Sequence, residues 1–165
     1  PSLAMFATER RVVLLGGGVL SKDEAHRFEI PMPVELSNQE VRRRLVTTLA
    51  WMTPLNAGTR RYRKANLFLS GSESITDWFG RTAQADDKLA GRGTVVHLVR
   101  ESARRVVLPD EPGFSLQVNC VEDSPLLDEA VPYGLAVTLD VADPIGVDLQ
   151  DAVRTRLEVP VKARP

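Results

Sequence analysis

Leu45-Val46-Thr47-Thr48-Leu49-Ala50-Trp51-Met52 is rich in β-branched and aromatic residues and stops just short of Pro54, which marks it as a central buried strand. Its counterpart runs from Tyr133 to Ala142. There Tyr133, Leu135, Val137, Leu139 and Val141 fall on one side, and Gly134, Ala136, Thr138 and Asp140 on the other. That period of two belongs to a strand with one wetter face. The two runs specify the core of a β-sandwich.

Further strands are expected on either side. Arg10 to Leu15 reads as a strand that meets Gly16-Gly17-Gly18, and the triple glycine reads as a turn or bulge. A phosphate loop is not supported, because neither the Gly-Lys-Ser/Thr of a Walker loop nor the wider glycine spacing of a dinucleotide fingerprint is present. His26, Phe28, Ile30 and Met32 alternate with Arg27, Glu29 and Pro31 as a second strand. The long central strand then spans Val41 to Met52, followed by Tyr62 to Leu69, Thr94 to Val99, Arg104 to Leu108 and Phe114 to Val121. The expected fold is mainly β: a two-sheet antiparallel sandwich, jelly-roll-like, of about eight strands. Between Gly71 and Gly93 the pattern turns polar, and Ile75, Trp78 and Phe79 are expected to anchor a short helix or long loop over the sandwich. A short C-terminal helix is expected after Asp148, with Leu149, Ala152, Val153, Arg156 and Leu157 at helical spacing.

A chain of 165 residues suits one domain with one hydrophobic core. It opens on Pro1-Ser2-Leu3 and reads as a single domain, residues 1–165, excised from a longer chain. A net charge of −1 with 26% charged residues describes an ordinary soluble surface, so neither nucleic acid nor a membrane is an expected partner. No apolar run approaches the ~18 residues of a membrane span, and no targeting signal is present. Compartment is not encoded here, although a chain without disulfides suits the cytoplasm. Cys120 is alone, on the side of its strand shared with Phe114, Leu116 and Val118, and reads as a buried, unreactive thiol.

Catalytic chemistry finds little support. Ser72, in Gly71-Ser72-Glu73-Ser74, lacks the second glycine of a nucleophile elbow. His26 and His97 sit in strands beside apolar neighbours and read as structural. The histidines and the cysteine lack paired metal-ligand spacing, and the acidic loop pairs lack that of a calcium loop. No catalytic residue, metal ligand or cofactor is therefore assigned. For binding, the candidates are the basic run Arg60, Arg61, Arg63 and Lys64, the anchors Trp78 and Phe79, and a positive patch at one sheet end to which Arg42-Arg43-Arg44 would contribute.

Several stretches carry a family resemblance: Val12-Val13-Leu14-Leu15-Gly16-Gly17-Gly18-Val19-Leu20, Glu24 to Pro33, Val46-Thr47-Thr48-Leu49-Ala50-Trp51, Arg61-Tyr62-Arg63-Lys64-Ala65, Gly93-Thr94-Val95-Val96-His97, Gln117-Val118-Asn119-Cys120 and Val131 to Leu139. Together they resemble the C-terminal β-sandwich region behind the catalytic domain of large bacterial subtilisin-like serine peptidases, over about Val12 to Ile145. The resemblance implies a noncatalytic accessory domain that stabilises the catalytic domain of the same polypeptide and helps it take protein or peptide substrates. The family's Gly-Thr-Ser and His-Gly motifs are missing, so no triad residue is carried over. The alternative is a stand-alone sandwich, binding carbohydrate or peptide or acting as a scaffold. With 5% aromatics there is little to build a sugar platform.

Overall fold

The computed structural model describes residues 3–8, 10–21, 24–37, 39–52, 67–80, 95–103, 106–107, 109, 111–120, 130–142, 149, 151 and 153–154. Within them the chain forms β1 (Ala4–Thr8), β2 (Arg11–Leu20), β3 (Ala25–Pro31), a 3-10 turn at Val34–Leu36, β4 (Arg43–Trp51), β5 (Leu67–Gly71), α1 (Ser74–Phe79), β6 (Val95–Glu101), β7 (Gly113–Cys120) and β8 (Val131–Val141). Two antiparallel sheets result, ordered β1-β2-β8-β4-β6 and β3-β7-β5. Strands distant in sequence pair in a nested way, β2 with β8, β3 with β7 and β4 with β6, as in a jelly roll.

The two runs that define the core are neighbours at the centre of the larger sheet, paired from Arg43↔Val141 to Trp51↔Tyr133. Leu45, Leu49, Leu135 and Val137 point inward and are buried against Phe28, Leu116 and Val118 of the smaller sheet. The alternation read from Tyr133 to Val141 is realised residue by residue.

The triple glycine is a correction. It forms neither a turn nor a bulge but continues β2 in unbroken register with β8, from Gly16↔Leu135 to Gly18↔Tyr133. Space explains the residue type: a Cβ on Gly17 would stand 2.7 Å from the Tyr133 carbonyl oxygen, and one on Gly18 3.0 Å from His26 Nδ1. Ala4–Thr8, outside every strand expected from the sequence, is an edge strand on β2. Conversely, Val106 and Val107 of the expected strand Arg104–Leu108 are not in a strand. Val107 is buried there, its N–H donating to the Ser37 carbonyl at 3.1 Å.

α1 is the helix expected from Ile75, Trp78 and Phe79, all three buried. Its last turn closes on Gly80 at φ 74°, a left-handed conformation that glycine adopts without a Cβ clash. In the tail, Leu149, Asp151, Val153 and Arg154 have helical backbone, with Leu149 and Val153 buried.

Candidate interaction surface

The inner face of the five-stranded sheet makes the core, so its outer face is left to solvent. Cross-strand register arranges that face in rows. One row is apolar, Phe6-Val13-Thr138-Val46-Val99. The next is Ala4-Leu15-Ala136-Thr48-His97, and the one beyond it is small, Gly17-Gly134-Ala50-Val95. Phe6, Val19 and Val95 are each more than half exposed. Isolated exposed apolar residues are ordinary, but a contiguous apolar sheet face marks an interaction site.

One end of the face is charged. Arg11, Asp140, Arg44 and Glu101 follow one another across β2, β8, β4 and β6. Arg11 pairs with Asp140 in bidentate fashion through Nε and Nη2, the Nη2 bond being 3.2 Å, and Arg44 Nε lies 3.1 Å from Glu101 Oε1. Hydrogen bonding to Asp140, then its charge, raises the Arg11 pKa above its ordinary value. Just past this row the strand ends surround a cleft of about 560 Å³ lined by Arg10, Arg11, Arg42, Arg43 and Arg44, with Glu101, Ser102 and Asp140 among its other walls. The backbone carbonyls of Arg10 and Arg42 accept from the N–H groups of Val141 and Ala142, which places the two residues just before β2 and β4, on either side of β8 and about 10 Å apart by strand spacing. Their guanidiniums are exposed and make no ion pair among the described residues. Arg43 instead is buried in the cleft floor, its Nη2 donating to the carbonyls of Leu36 at 2.7 Å and Gln39 at 3.1 Å.

No protein-family model matches this chain, and no curated protein does either.

The binding candidates from the sequence do not gather at one place. Trp78 and Phe79 are 1% exposed and lie in the core, Phe79 edge-on to Phe114 at 5.9 Å between ring centroids, so their side chains face the sandwich rather than a partner. Arg60, Arg61, Arg63 and Lys64 lie outside the described residues. Of the expected positive patch, the Arg60 to Lys64 part lies outside the described residues, while Arg42 and Arg44 line the cleft at one sheet end, together with Arg10, just before β2, and Arg11 of β2. That second pair escaped the sequence reading, because only the register of β2 on β8 brings it beside β4.

His97 shares a side with Val95 and Val99 as read, but that side faces solvent, and its Nδ1 bonds to Thr48 Oγ1 at 2.8 Å. His26 faces inward, where Nδ1 and the Tyr133 hydroxyl share a 2.6 Å hydrogen bond between the sheets. Cys120 is half-buried and packs against the core, and loss of hydration pushes its thiol pKa up, away from the reactive thiolate. Among the described residues no three His, Cys, Asp or Glu side chains gather as metal ligands, and no helix is long and apolar enough to cross a membrane.

Burial pushes the Tyr133 pKa up to about 12, from about 10. The folded state therefore holds this proton more tightly than the unfolded chain does. Stability from this residue is complete below about pH 10 and is lost as pH rises toward about 12. Tyr133→Phe is accordingly expected to be less stable than wild type at pH 8, through loss of the His26 bond, and to lose less stability between pH 9.5 and 11.5. Urea midpoints across that range would show it; parallel curves for the two proteins would refute it.

Proposed function

We propose that this chain is a noncatalytic β-sandwich accessory domain of a subtilisin-like serine endopeptidase. Its contribution is association: it stabilises the catalytic domain of the same polypeptide and helps present protein substrates, while the Ser/His/Asp chemistry belongs to the catalytic domain. The supporting observation is the arginine-lined cleft, where cations outnumber carboxylates and Arg10 and Arg42 stand exposed on either side of β8. Guanidinium groups in that setting suit an acidic segment of a neighbouring domain, held by bidentate hydrogen bonds. A sugar-binding sandwich has less support, since Trp51 and Trp78, the two tryptophans, are both buried.

The reading is tested first in the gene. An aspartate motif, a His-Gly motif and a Gly-Thr-Ser motif, in that order upstream of Pro1 and in frame, are expected; an unrelated domain there would end it. In the full-length protein, Arg10→Glu with Arg42→Glu is expected to lower the melting temperature of the catalytic domain by several degrees and its peptidase activity with it. The same pair of changes should leave the melting temperature of the isolated 165-residue chain within a degree or two of wild type, since both side chains are exposed. An unchanged full-length enzyme would remove the cleft from the interface. A fluorophosphonate serine probe is expected not to label the isolated chain.

A further inference from the structure

We propose that the outer face of the five-stranded sheet is a homodimer interface, closed by a second copy of the chain across a two-fold axis that runs along the strands between β8 and β4. This goes beyond the accessory-domain reading and does not rest on it.

The charged row carries the inference. Across β2, β8, β4 and β6 it reads Arg11, Asp140, Arg44, Glu101, alternating in sign. Turning a copy about the stated axis keeps every row at its own height and reverses the order of the strands. Arg11 then faces the partner's Glu101, and Asp140 faces the partner's Arg44. Every charge meets its opposite, twice over by symmetry. A row ordered plus, minus, minus, plus would have met itself like on like, which costs free energy instead of gaining it. Such self-complementarity is what an isologous interface requires.

Side-chain size follows the same symmetry. In the small row, Gly17 comes to lie under the partner's Val95, which is 55% exposed in the single chain. Gly134, beside the axis, faces the partner's Ala50. A Cβ on Gly134 would meet nothing within 4 Å, so no contact among the described residues demands a glycine there, and its lack of a side chain leaves room for those of a facing sheet. In the rows between, Leu15 faces the partner's His97, and Val13 the partner's Val99. Two sheets stacked this way stand about 10 Å apart, the separation found inside sandwiches.

The area is that of a weak, concentration-dependent dimer. Four strands face each other across this axis, and at ~4.8 Å per strand over four same-face intervals of ~6.7 Å they give a flat footprint on the order of 500 Å² before side-chain relief is counted. Tightly bound pairs take about 800 Å² of accessible surface from each partner.

Sedimentation velocity on the 165-residue chain tests the proposal. The wild type is expected as a dimer at about 100 µM that dissociates on dilution. Gly134→Arg, which fills open space in the single chain, is expected to give a monomer with an unaltered circular dichroism spectrum. Arg44→Glu with Glu101→Arg keeps the opposite charges of that one pair, at the cost of a carboxylate beside Asp140, and sets like charges across the axis, so it is expected to raise the dimer Kd by about tenfold or more. Adding Arg11→Asp and Asp140→Arg inverts the whole row, restores opposition, and is expected to recover the dimer. A monomeric wild type at about 100 µM would overturn the proposal. So would a dimer indifferent to Gly134→Arg, or a failure of the fully inverted row to recover association.

Discussion

Trp78→Ala is expected to destabilise the chain by about 3–5 kcal/mol, the range for removing a large aromatic side chain from a close-packed core. Trp78 is 1% exposed on α1, a helix of six residues that is far too short to persist in water without tertiary packing. Its inward residues Ile75, Trp78 and Phe79 hold it to the sandwich, chiefly against β7. Losing the indole therefore opens a cavity and loosens the helix together. Two comparisons separate these effects from a general loss of apolar area. Trp78→Phe keeps most of the volume, and because the indole Nε1 has no acceptor among the described residues it forfeits no hydrogen bond, so a loss of less than half the alanine value is expected. Phe6→Ala removes an aromatic ring that is 60% exposed, and a change within about 0.5 kcal/mol is expected for the single chain. Urea denaturation at concentrations low enough to keep the chain monomeric would measure all three. A Trp78→Ala variant within 1 kcal/mol of wild type would mean that this ring does not anchor α1.

The same residue illustrates how far the sequence could be read. Ile75, Trp78 and Phe79 announce a short helix or a long loop anchored over the sandwich, and the structure has the helix. They do not announce which side of the chain a partner sees, and an aromatic pair in a polar stretch has the composition of an exposed anchor as much as of a buried one. Strands were legible where alternation was strong, as in β4 and β8, and illegible where it was weak. β1 is short and the second half of β2 contains three glycines, so neither stretch has a run of large residues in phase, whereas the first half of β2, Arg11 to Leu15, does and reads as a strand. Gly17 and Gly18 are kept small by close approach to Tyr133 and His26, neighbours that come from β8 and β3 and are invisible in the local sequence. The charged end of the sheet is a register property in the same way. Arg42-Arg43-Arg44 is conspicuous in the chain, yet its middle member turns inward and its outer members turn out, by the period of two. What completes the surface, Arg10, Arg11, Glu101 and Asp140, arrives from three other parts of the sequence. Each lies near a strand end, where charges commonly mark solvated turns, and only the pairing of β2, β8, β4 and β6 gathers them.

Arg43→Met is expected to cost about 3 kcal/mol, although neighbouring arginines on the same strand are dispensable to the fold. Arg43 is 1% exposed, with its backbone tied to β6 by a bond from its N–H to Ser102 Oγ at 3.1 Å and one from the Ser102 N–H to its carbonyl at 2.9 Å. Its guanidinium reaches back to Leu36 and Gln39, so one side chain fixes the 3-10 turn and the following bend against the start of β4. A buried cation is costly in itself, and here two fixed carbonyls at Nη2 offset part of that cost. Methionine matches the length of the stem and removes the charge, but it leaves the Leu36 and Gln39 carbonyls without their donor, at about 1–3 kcal/mol for each group that water cannot reach. Arg43→Lys retains the charge and places it on a single ammonium, which lacks the planar fork, so an intermediate loss is expected. Arg42→Met, one residue away with its side chain outward, is expected to change stability by no more than about 0.5 kcal/mol. If Arg43→Met and Arg42→Met unfold at the same urea concentration, Arg43 is not the tie between the turn and the sheet. If the order is as expected, two adjacent residues of the arginine-rich end differ in kind: Arg43 is a buried cation that builds the floor of the cleft, and Arg42 is an exposed one in its wall.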